Sequence, residues 1–207
     1  MRLRCIAPDS FASNCYLLLS EHKGQTLALV IDPGVSVESI LQALEQESAV
    51  LQGILLTHGH FDHVLSLDAL RDVLPHLPTY IHEADAELLT DAKKNAFATL
   101  FGLDRTWRSA DRQLKDGDTL TLGEDCIHVL HTPGHTRGSV CYQCDGMLLS
   151  GDTLFANGYG RYDLYGGDAQ ALLGSLQSLR ALPQQLRIYP GHGESASLSD
   201  ALAAVLG

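Results

Sequence analysis

Basic residues are scarce in this chain of 207 residues, which has 14 lysines and arginines against 25 aspartates and glutamates and a formal net charge of −11. Because proteins hold phosphate backbones with lysine and arginine, this balance argues against a nucleic-acid partner. Long apolar runs are also missing, since no stretch reaches the roughly 20 residues of a membrane span. The first residues lack the apolar core of a secretory signal. We therefore expect a cytoplasmic protein with no membrane partner.

Cysteines are few and do not suggest a disulfide framework, because their number, five, is odd and the chain is large enough for its own core. Cys141 and Cys144 have the CxxC spacing of redox and zinc motifs, but no second pair completes such a site, so we expect structural thiols. Cys5, Cys15 and Cys126 are expected to be small buried hydrophobes. The chain also lacks a GxSxG nucleophile elbow, so no serine nucleophile is indicated.

The order of strand-like and helix-like segments predicts an α+β fold, and a mass of 22.4 kDa fits one domain. Strands are expected over residues 3–7, 15–19, 27–31, 79–82, 119–122, 126–131, 139–142, 147–149 and 187–189. Helices are expected over residues 37–47, 64–74, 83–89, 93–101, 169–182 and 198–206. Ser36 is the expected N-cap of the first helix, and Asp145-Gly146 the turn of a hairpin. Strands followed by a helix, twice over, predict two sheets packed face to face with helices outside.

Residues 57–63 read Thr-His-Gly-His-Phe-Asp-His, and three histidines with an aspartate at this density favour a metal site over a polar loop. His58 and His60 follow an apolar run, so they lie where a buried strand ends and can point to the same side. Asp62 and His63 begin a helical stretch, in which neighbouring side chains diverge by roughly 100°. One short segment can therefore present two histidines to one metal ion, and a carboxylate with a third histidine to another.

Three further ligand-type residues stand where later strands end, and glycine flanks each of them. They are His135, Asp152 and His192. Glycine removes bulk and permits unusual backbone angles, which suits a side chain held close to an ion. With the residues of the 57–63 segment they make five histidines and two aspartates, enough for two ions that share a carboxylate and a water.

These residues resemble the metallo-β-lactamase superfamily, whose HxHxDH signature matches His58 to His63 without a gap. Within it the chain is similar to the short hydroxyacylglutathione hydrolases of the glyoxalase II type, because five motifs follow in that family's order. They are residues 57–63, 132–135, 151–155, 160–161 and 191–193. The resemblance implies a four-layer αβ/βα sandwich and a single domain over residues 1–207, without the C-terminal helical domain of full-length glyoxalase II.

The same resemblance implies the ligands of two divalent metal ions. The residues implied for one ion are His58, His60 and His135. The residues implied for the other ion are Asp62, His63 and His192, with Asp152 as the bridge between the two. Zinc is the favoured metal, and iron and manganese accept the same nitrogen and oxygen ligands.

The expected reaction is hydrolysis by a hydroxide that bridges the two ions, since even one zinc ion lowers the pKa of bound water to about 7. The expected substrate is a small thioester such as S-lactoylglutathione. Asp62 is the expected catalytic residue, because it can orient the nucleophile and carry its proton. Arg161 takes the place of a glutathione-binding lysine of the family and is the expected substrate-binding residue. Asp163 stands where the family has a tyrosine, which leaves another small thioester or ester open.

Two other activities fit the same residues. The chain also resembles the persulfide dioxygenases, which use this fold with a single iron ion and carry the Arg-x-Asp arrangement found here at Arg161 and Asp163. A lactonase is the other alternative. Metal stoichiometry separates hydrolase from dioxygenase, because two filled sites favour hydrolysis. The sequence leaves a monomer or a homodimer open.

Overall fold

Apolar strands form two six-stranded sheets in a computed structural model that describes residues 1–8 and 12–207. The first sheet consists of β1 (Arg2–Ile6), β2 (Cys15–His22), β3 (Gln25–Ile31), β4 (Ala49–Leu55), β5 (Thr79–His82) and β6 (Arg112–Leu114). The second sheet consists of β7 (Thr119–Leu122), β8 (Asp125–His131), β9 (Val140–Cys144), β10 (Met147–Gly151), β11 (Arg187–Pro190) and β12 (Ala196–Ser197). In both sheets each strand pairs with its neighbours in the chain.

Helices cover the outer face of each sheet. The α-helices are α1 (Val37–Gln46), α2 (Leu67–Val73), α3 (Phe97–Phe101), α4 (Ala169–Ser178) and α5 (Leu198–Leu206). Shorter 3₁₀ helices span Phe61–His63, Glu83–Thr90 and Leu179–Ala181. Apolar residues of α1 and α2 pack against the first sheet, and those of α4 and α5 pack against the second. The predicted four-layer αβ/βα sandwich in a single domain is confirmed.

The core between the sheets depends on alternation along the strands. Because successive side chains point to opposite faces, β2 places Tyr16 and Leu18 between the two sheets and Leu17 under the helices. Across the interface the second sheet contributes Val129 and Tyr142. Both faces of β2 are therefore covered, which explains why this strand reads as a continuous apolar run.

Strand direction brings the later ligand-type residues to one edge of the sandwich. Strands β3 and β4 run parallel, as do β10 and β11, and β8 runs in the same direction as β10 because both are antiparallel to β9. Backbone hydrogen bonds join the two sheets at this edge, where the Val140 N–H donates to the Thr57 carbonyl at 2.9 Å and the Asn14 N–H to the Gly191 carbonyl at 2.7 Å.

Local signals in the sequence predicted several element boundaries correctly. The Ser36 side chain accepts a hydrogen bond from the Ser39 N–H at 3.2 Å and caps α1, as predicted. Asp145 and Gly146 connect β9 to β10 with positive φ angles of 38° and 76°, which confirms the predicted hairpin turn.

Other predicted boundaries were wrong. The helix expected from residue 64 begins only at Leu67, because the Ser66 N–H donates to the Pro33 carbonyl at 2.9 Å and the preceding turn is a separate 3₁₀ helix. The helix expected over residues 83–89 is a 3₁₀ helix over Glu83–Thr90, and α3 covers only the end of the range 93–101. Strands β6 and β12, of three and two residues, were not predicted because they are too short to show a period.

The cysteines divide into buried and exposed thiols. Cys15, Cys141 and Cys144 are buried, and burial raises the pKa of Cys141 to about 11, so this thiol is unreactive. The prediction that Cys5 and Cys126 are buried was wrong, since both are exposed to solvent. None of the helices described is long and apolar enough to cross a membrane.

Candidate metal centre

Seven histidine and aspartate side chains meet where the strands of both sheets end. They are His58, His60, Asp62, His63, His135, Asp152 and His192. Four of them lie on the turn that follows β4, and the others follow β8, β10 and β11. The structure thus brings together every residue that the sequence predicted as a metal ligand.

The first trio consists of His58, His60 and His135, all buried. The Nε2 atom of His135 lies 3.1 Å from His58 Nε2 and 2.9 Å from His60 Nδ1, so three ring nitrogens converge on one point. Burial and the neighbouring imidazoles lower the pKa of His58 well below its usual range and that of His60 to about 3. These rings are therefore neutral at pH 7, which is the form that binds a metal ion.

The second trio consists of Asp62, His63 and His192. Oδ2 of Asp62 lies 3.2 Å from His192 Nε2 and 3.9 Å from His63 Nε2. Burial opposes the charged form of His63, but Asp152, Asp32 and Asp62 outweigh it and raise its pKa well above the usual range. A hydrogen bond with Asp62 likewise raises the pKa of His192. Both rings therefore bind protons more tightly than a free imidazole, and a cation competes with those protons.

Asp152 lies between the two trios. Its Oδ1 is 3.3 Å from His63 Nε2, and its Oδ2 is 3.6 Å from both His135 Nε2 and His192 Nε2. Burial would raise its pKa, but the histidines around it hold the pKa well below the usual range. A carboxylate in this position can contact a cation in either trio.

Two buried atoms of the site are consistent with residues that fit metal ions. Nε2 of His63 and Oδ1 of Asp152 lie 3.3 Å from each other, and neither makes a well-formed hydrogen bond to any of the described residues. An unpaired buried polar atom costs about 1–3 kcal/mol, so such atoms are retained where something else satisfies them. Borderline cations prefer this set of imidazole nitrogens and carboxylate oxygens.

Two glycines allow the loops to approach the site closely. A Cβ atom at Gly191 would overlap Asp152 Oδ1 and the ring of His63, and one at Gly160 would overlap the Asp152 carbonyl and the ring of His135. Gly191, which precedes the ligand-type residue His192, and Gly160, which precedes Arg161, thus remove bulk at the point of contact.

A second layer of carboxylates holds the ligands, beginning with Asp32 at the end of β3. The Thr57 N–H donates to its Oδ1 at 2.8 Å, and both the Thr57 hydroxyl at 2.6 Å and the His63 Nδ1–H at 2.8 Å donate to its Oδ2. The Thr57 oxygen also lies 3.1 Å from His58 Nδ1 and can accept its proton. Asp32 therefore leaves Nε2 of one histidine in each trio free to face the site.

Asp85 ties together the two loops of the first trio. Its fully buried carboxylate accepts hydrogen bonds from the Gly59 N–H at 3.0 Å, the Thr136 hydroxyl at 2.7 Å and the Gly138 N–H at 2.6 Å. Gly59 lies between His58 and His60, and Thr136 follows His135. Asp85 thereby sets the distance between these loops.

Backbone carbonyl groups also hold the loop of His192 and the ring of His135 in position. Asn14 Nδ2 donates to the carbonyls of Pro190 and Gly193 at 3.1 and 2.9 Å, which fixes the loop of His192. His135 Nδ1 donates to the Arg161 carbonyl at 2.6 Å, which leaves its Nε2 directed at the first trio.

A cavity of about 300 Å³ opens above the two trios. Candidate ligands line its floor, and Phe61, Leu100, Phe155 and Leu164 contribute apolar walls. Arg161 also lines the cavity, and its guanidinium pairs with the Asp163 carboxylate.

Asp32, Asp85 and Asn14 were not predicted as supporting residues. Asp32 had one usable signal, since an aspartate followed by Pro-Gly directly ends a buried strand. Asp85 lies in an ordinary acidic stretch, and its three partners come from segments 26 to 53 residues away. Such long-range partners leave no local pattern.

Comparison with known proteins places this geometry in a family. A family model described as the metallo-beta-lactamase superfamily matches residues 8–192. The chain is 35% identical over 196 residues to the "Probable metallo-hydrolase YqgX" of Bacillus subtilis, covering 93% of this chain and 90% of the relative.

Solved structures give the same result. The BLEG-1 B3 metallo-beta-lactamase is similar with a TM-score of 0.90 at 34% identity, over 98% of this chain and 97% of that one. TTHA1623, solved in a di-iron-bound form, is similar with a TM-score of 0.78 at 34% identity, over 94% and 96%. ETHE1 from Myxococcus xanthus is similar with a TM-score of 0.76 at 27% identity, over 97% and 81%.

The two trios are expected to respond differently to pH. Because the pKa values of His63 and His192 are raised, a cation entering the second trio must displace protons, and its affinity falls as the pH falls. In the first trio the pKa values of His58 and His60 are lowered, so these two rings are neutral and this trio loses less affinity. Calorimetric zinc titration of the metal-free protein at about pH 8 and about pH 6 should show one binding step weakening at least about tenfold more than the other. Equal pH dependence of both steps would contradict this assignment.

Replacing Asp32 with asparagine is expected to loosen both trios. An amide nitrogen cannot accept the hydrogen bonds of Thr57 or His63, so the variant Asp32→Asn should bind zinc about 10- to 100-fold more weakly. Zinc affinity measured against a chromophoric chelator tests this, with Asp104→Asn at an exposed position as the matched control. Wild-type affinity in Asp32→Asn would show that the carboxylate does not orient the ligands.

Proposed function

Because the chain belongs to the metallo-β-lactamase superfamily, we propose that it is a two-metal hydrolase that cleaves small thioesters. The observation that carries the proposal is the convergence of two trios of ligand atoms, with the Asp152 carboxylate between them, on the floor of one cavity. His58, His60 and His135 would hold one ion, and Asp62, His63 and His192 the other.

Cations bound there would lower the pKa of a water shared between them toward neutrality and would polarise the carbonyl group of the substrate. The protein residues supply position and proton transfer. Asp62 lines the cavity, and its Oδ2 lies toward the histidines of its trio, which leaves Oδ1 to accept a hydrogen bond from the attacking water. Despite its burial, His63 and His192 lower the pKa of Asp62, so it is ionised and able to accept the proton. As the C–S bond breaks, that proton can pass to the departing thiolate.

Zinc is the metal we favour for both trios, because the ligands are imidazoles and carboxylates. The similar protein TTHA1623 is described in a di-iron-bound form, which supports iron as an alternative. Manganese accepts the same ligands.

The substrate we propose belongs to the hydroxyacylglutathione type, with S-lactoylglutathione as its first representative. Support comes from the motifs that follow the order of that family, and from Arg161 at the rim of the cavity, whose guanidinium a substrate carboxylate could share with Asp163. A lactone would meet the same metal-polarised carbonyl chemistry and is distinguished by assay.

A second candidate function is a mononuclear iron persulfide dioxygenase. The similarity to ETHE1 from Myxococcus xanthus supports it, together with the two hydrogen bonds that join Arg161 to Asp163 in the Arg-x-Asp arrangement. The presence of both complete trios favours the hydrolase.

Removal of metal is expected to abolish thioester hydrolysis. A chelator-treated sample should lose S-lactoylglutathione hydrolysis and regain it with zinc, and His60→Ala should reduce kcat/KM by more than about a hundredfold. His128→Ala is the matched control, because His128 is exposed on β8 outside the site.

Elemental analysis of the purified protein separates the two candidates. Two metal ions per chain with chelator-sensitive hydrolysis support the hydrolase. A single iron ion per chain, with oxygen consumption on addition of glutathione persulfide, would replace it with the dioxygenase. Thioesterase activity that survives complete metal removal would eliminate both.

A further inference from the structure

The walls of the cavity differ in character from its floor. Phe61, Leu100 and Phe155 present hydrocarbon to the space above the candidate ligands. Phe61 is held in place by an edge-on contact with Phe101, whose ring centroid lies 5.3 Å away. Leu100 and Phe101 are 48% and 51% exposed, so the apolar surface continues from the wall to the mouth of the cavity.

The charge of Arg161 is already balanced. Its Nε and Nη2 atoms donate to the two carboxylate oxygens of Asp163 at 2.7 and 2.8 Å, which is the bidentate geometry that guanidinium and carboxylate prefer. A substrate carboxylate would have to displace Asp163 or share the guanidinium with it. Among the described residues that line the cavity, Arg161 is the one lysine or arginine.

Two other basic side chains, Lys94 and Arg105, also make contacts with other groups of the protein. Lys94 Nζ donates to Glu87 Oε2 at 2.6 Å. Arg105 Nη2 donates to the Leu65 carbonyl at 2.9 Å, and its guanidinium lies 5.1 Å from the ring centroid of Trp107. Because Lys94, Arg105 and Arg161 are all paired, these side chains add little attraction for an anionic substrate beyond that of the metal ions themselves.

We infer, on the basis of the hydrolase function proposed above, that the site recognises its thioester by a short apolar and uncharged acyl group. The carboxylates of a glutathione carrier then contribute little to affinity. The acyl group contacts the apolar wall residues Phe61, Leu100, Phe155 and Leu164. Because Arg161 is paired with Asp163, its guanidinium gives little electrostatic attraction to a dianionic carrier.

Affinity for hydrolysis-resistant thioethers tests this inference without turnover. Four ligands combine a methyl or a hexyl group with glutathione or with the neutral carrier N-acetylcysteamine, and calorimetry on the zinc-loaded protein gives each Kd. Because each buried methylene contributes about threefold to fourfold, we expect hexyl to bind at least about tenfold more tightly than methyl on both carriers. We expect glutathione to improve affinity by less than about threefold over the neutral carrier. A carrier effect above about tenfold with no hexyl advantage would overturn the inference.

Two variants test separately the apolar wall of the cavity and the Arg161–Asp163 ion pair. Leu100→Ser should weaken binding of both hexyl ligands about fivefold, whereas Leu103→Ser, at a more exposed position on the same segment, should not. Asp163→Asn removes the charge that balances Arg161 and should tighten S-hexylglutathione about threefold to tenfold, with no change for the neutral ligand. Unchanged affinity for both ligands in Asp163→Asn, or equal loss in the two leucine variants, would show that these residues do not select the substrate.

Hydrolysis and thioether affinity report on two separate properties of the site. If acyl thioesters on both carriers are hydrolysed and kcat/KM follows the thioether affinities, both statements hold. If no thioester on either carrier is hydrolysed, the thioester hydrolase proposal is wrong, while the thioether affinities still decide what the walls of the cavity recognise.

Discussion

The geometry of the metal centre depends on one buried carboxylate, that of Asp32. It accepts hydrogen bonds from the Thr57 backbone, the Thr57 hydroxyl and the His63 ring, so it fixes the start of the ligand turn and the orientation of a histidine in each trio. Asp32 has a positive φ of 53°, which is unfavourable for a residue with a side chain. Such a conformation persists where surrounding contacts hold it, and here three hydrogen bonds do so. Without this carboxylate both rings would be free to turn their Nε2 atoms away from the site.

The ligands of the first trio come from different sheets, so their spacing requires a rigid connection. Asp85 provides it, because one carboxylate binds the Gly59 N–H of the first sheet's loop and the Thr136 hydroxyl and Gly138 N–H of the second sheet's loop. Burial raises the pKa of Asp85, while the hydrogen bonds from Thr136, Gly138 and Gly59 act in the opposite direction. An asparagine could not accept all three bonds, which explains why an acidic residue is used in a fully buried position.

The fold and the candidate ligands were predictable from the sequence to the extent that their signals are local. The density of His58 to His63 and the glycines beside His135, Asp152 and His192 are properties of short segments, and the structure brings these side chains together. Asp32 and Asp85 escaped prediction because a supporting role is defined by partners far along the chain. The start of α2 was misplaced for a similar reason, since the bond from Ser66 to Pro33 overrides the apolar periodicity of residues 64–74.

Chemistry and recognition are placed on different parts of the structure. The candidate ligands are fixed at strand ends by buried hydrogen bonds, and the floor they form cannot change without disturbing both sheets. Part of the apolar wall comes instead from α3, where Leu100 is partly exposed, whereas Phe61 lies between His60 and Asp62 and belongs to the core. Substitutions at Leu100 can therefore alter which acyl group is accepted while the floor and its charges are retained. The two ligand trios place the reacting carbonyl, and the apolar walls contact only the substituent of that carbonyl. Substrate preference can therefore change in this architecture without a change in the reaction that the protein performs.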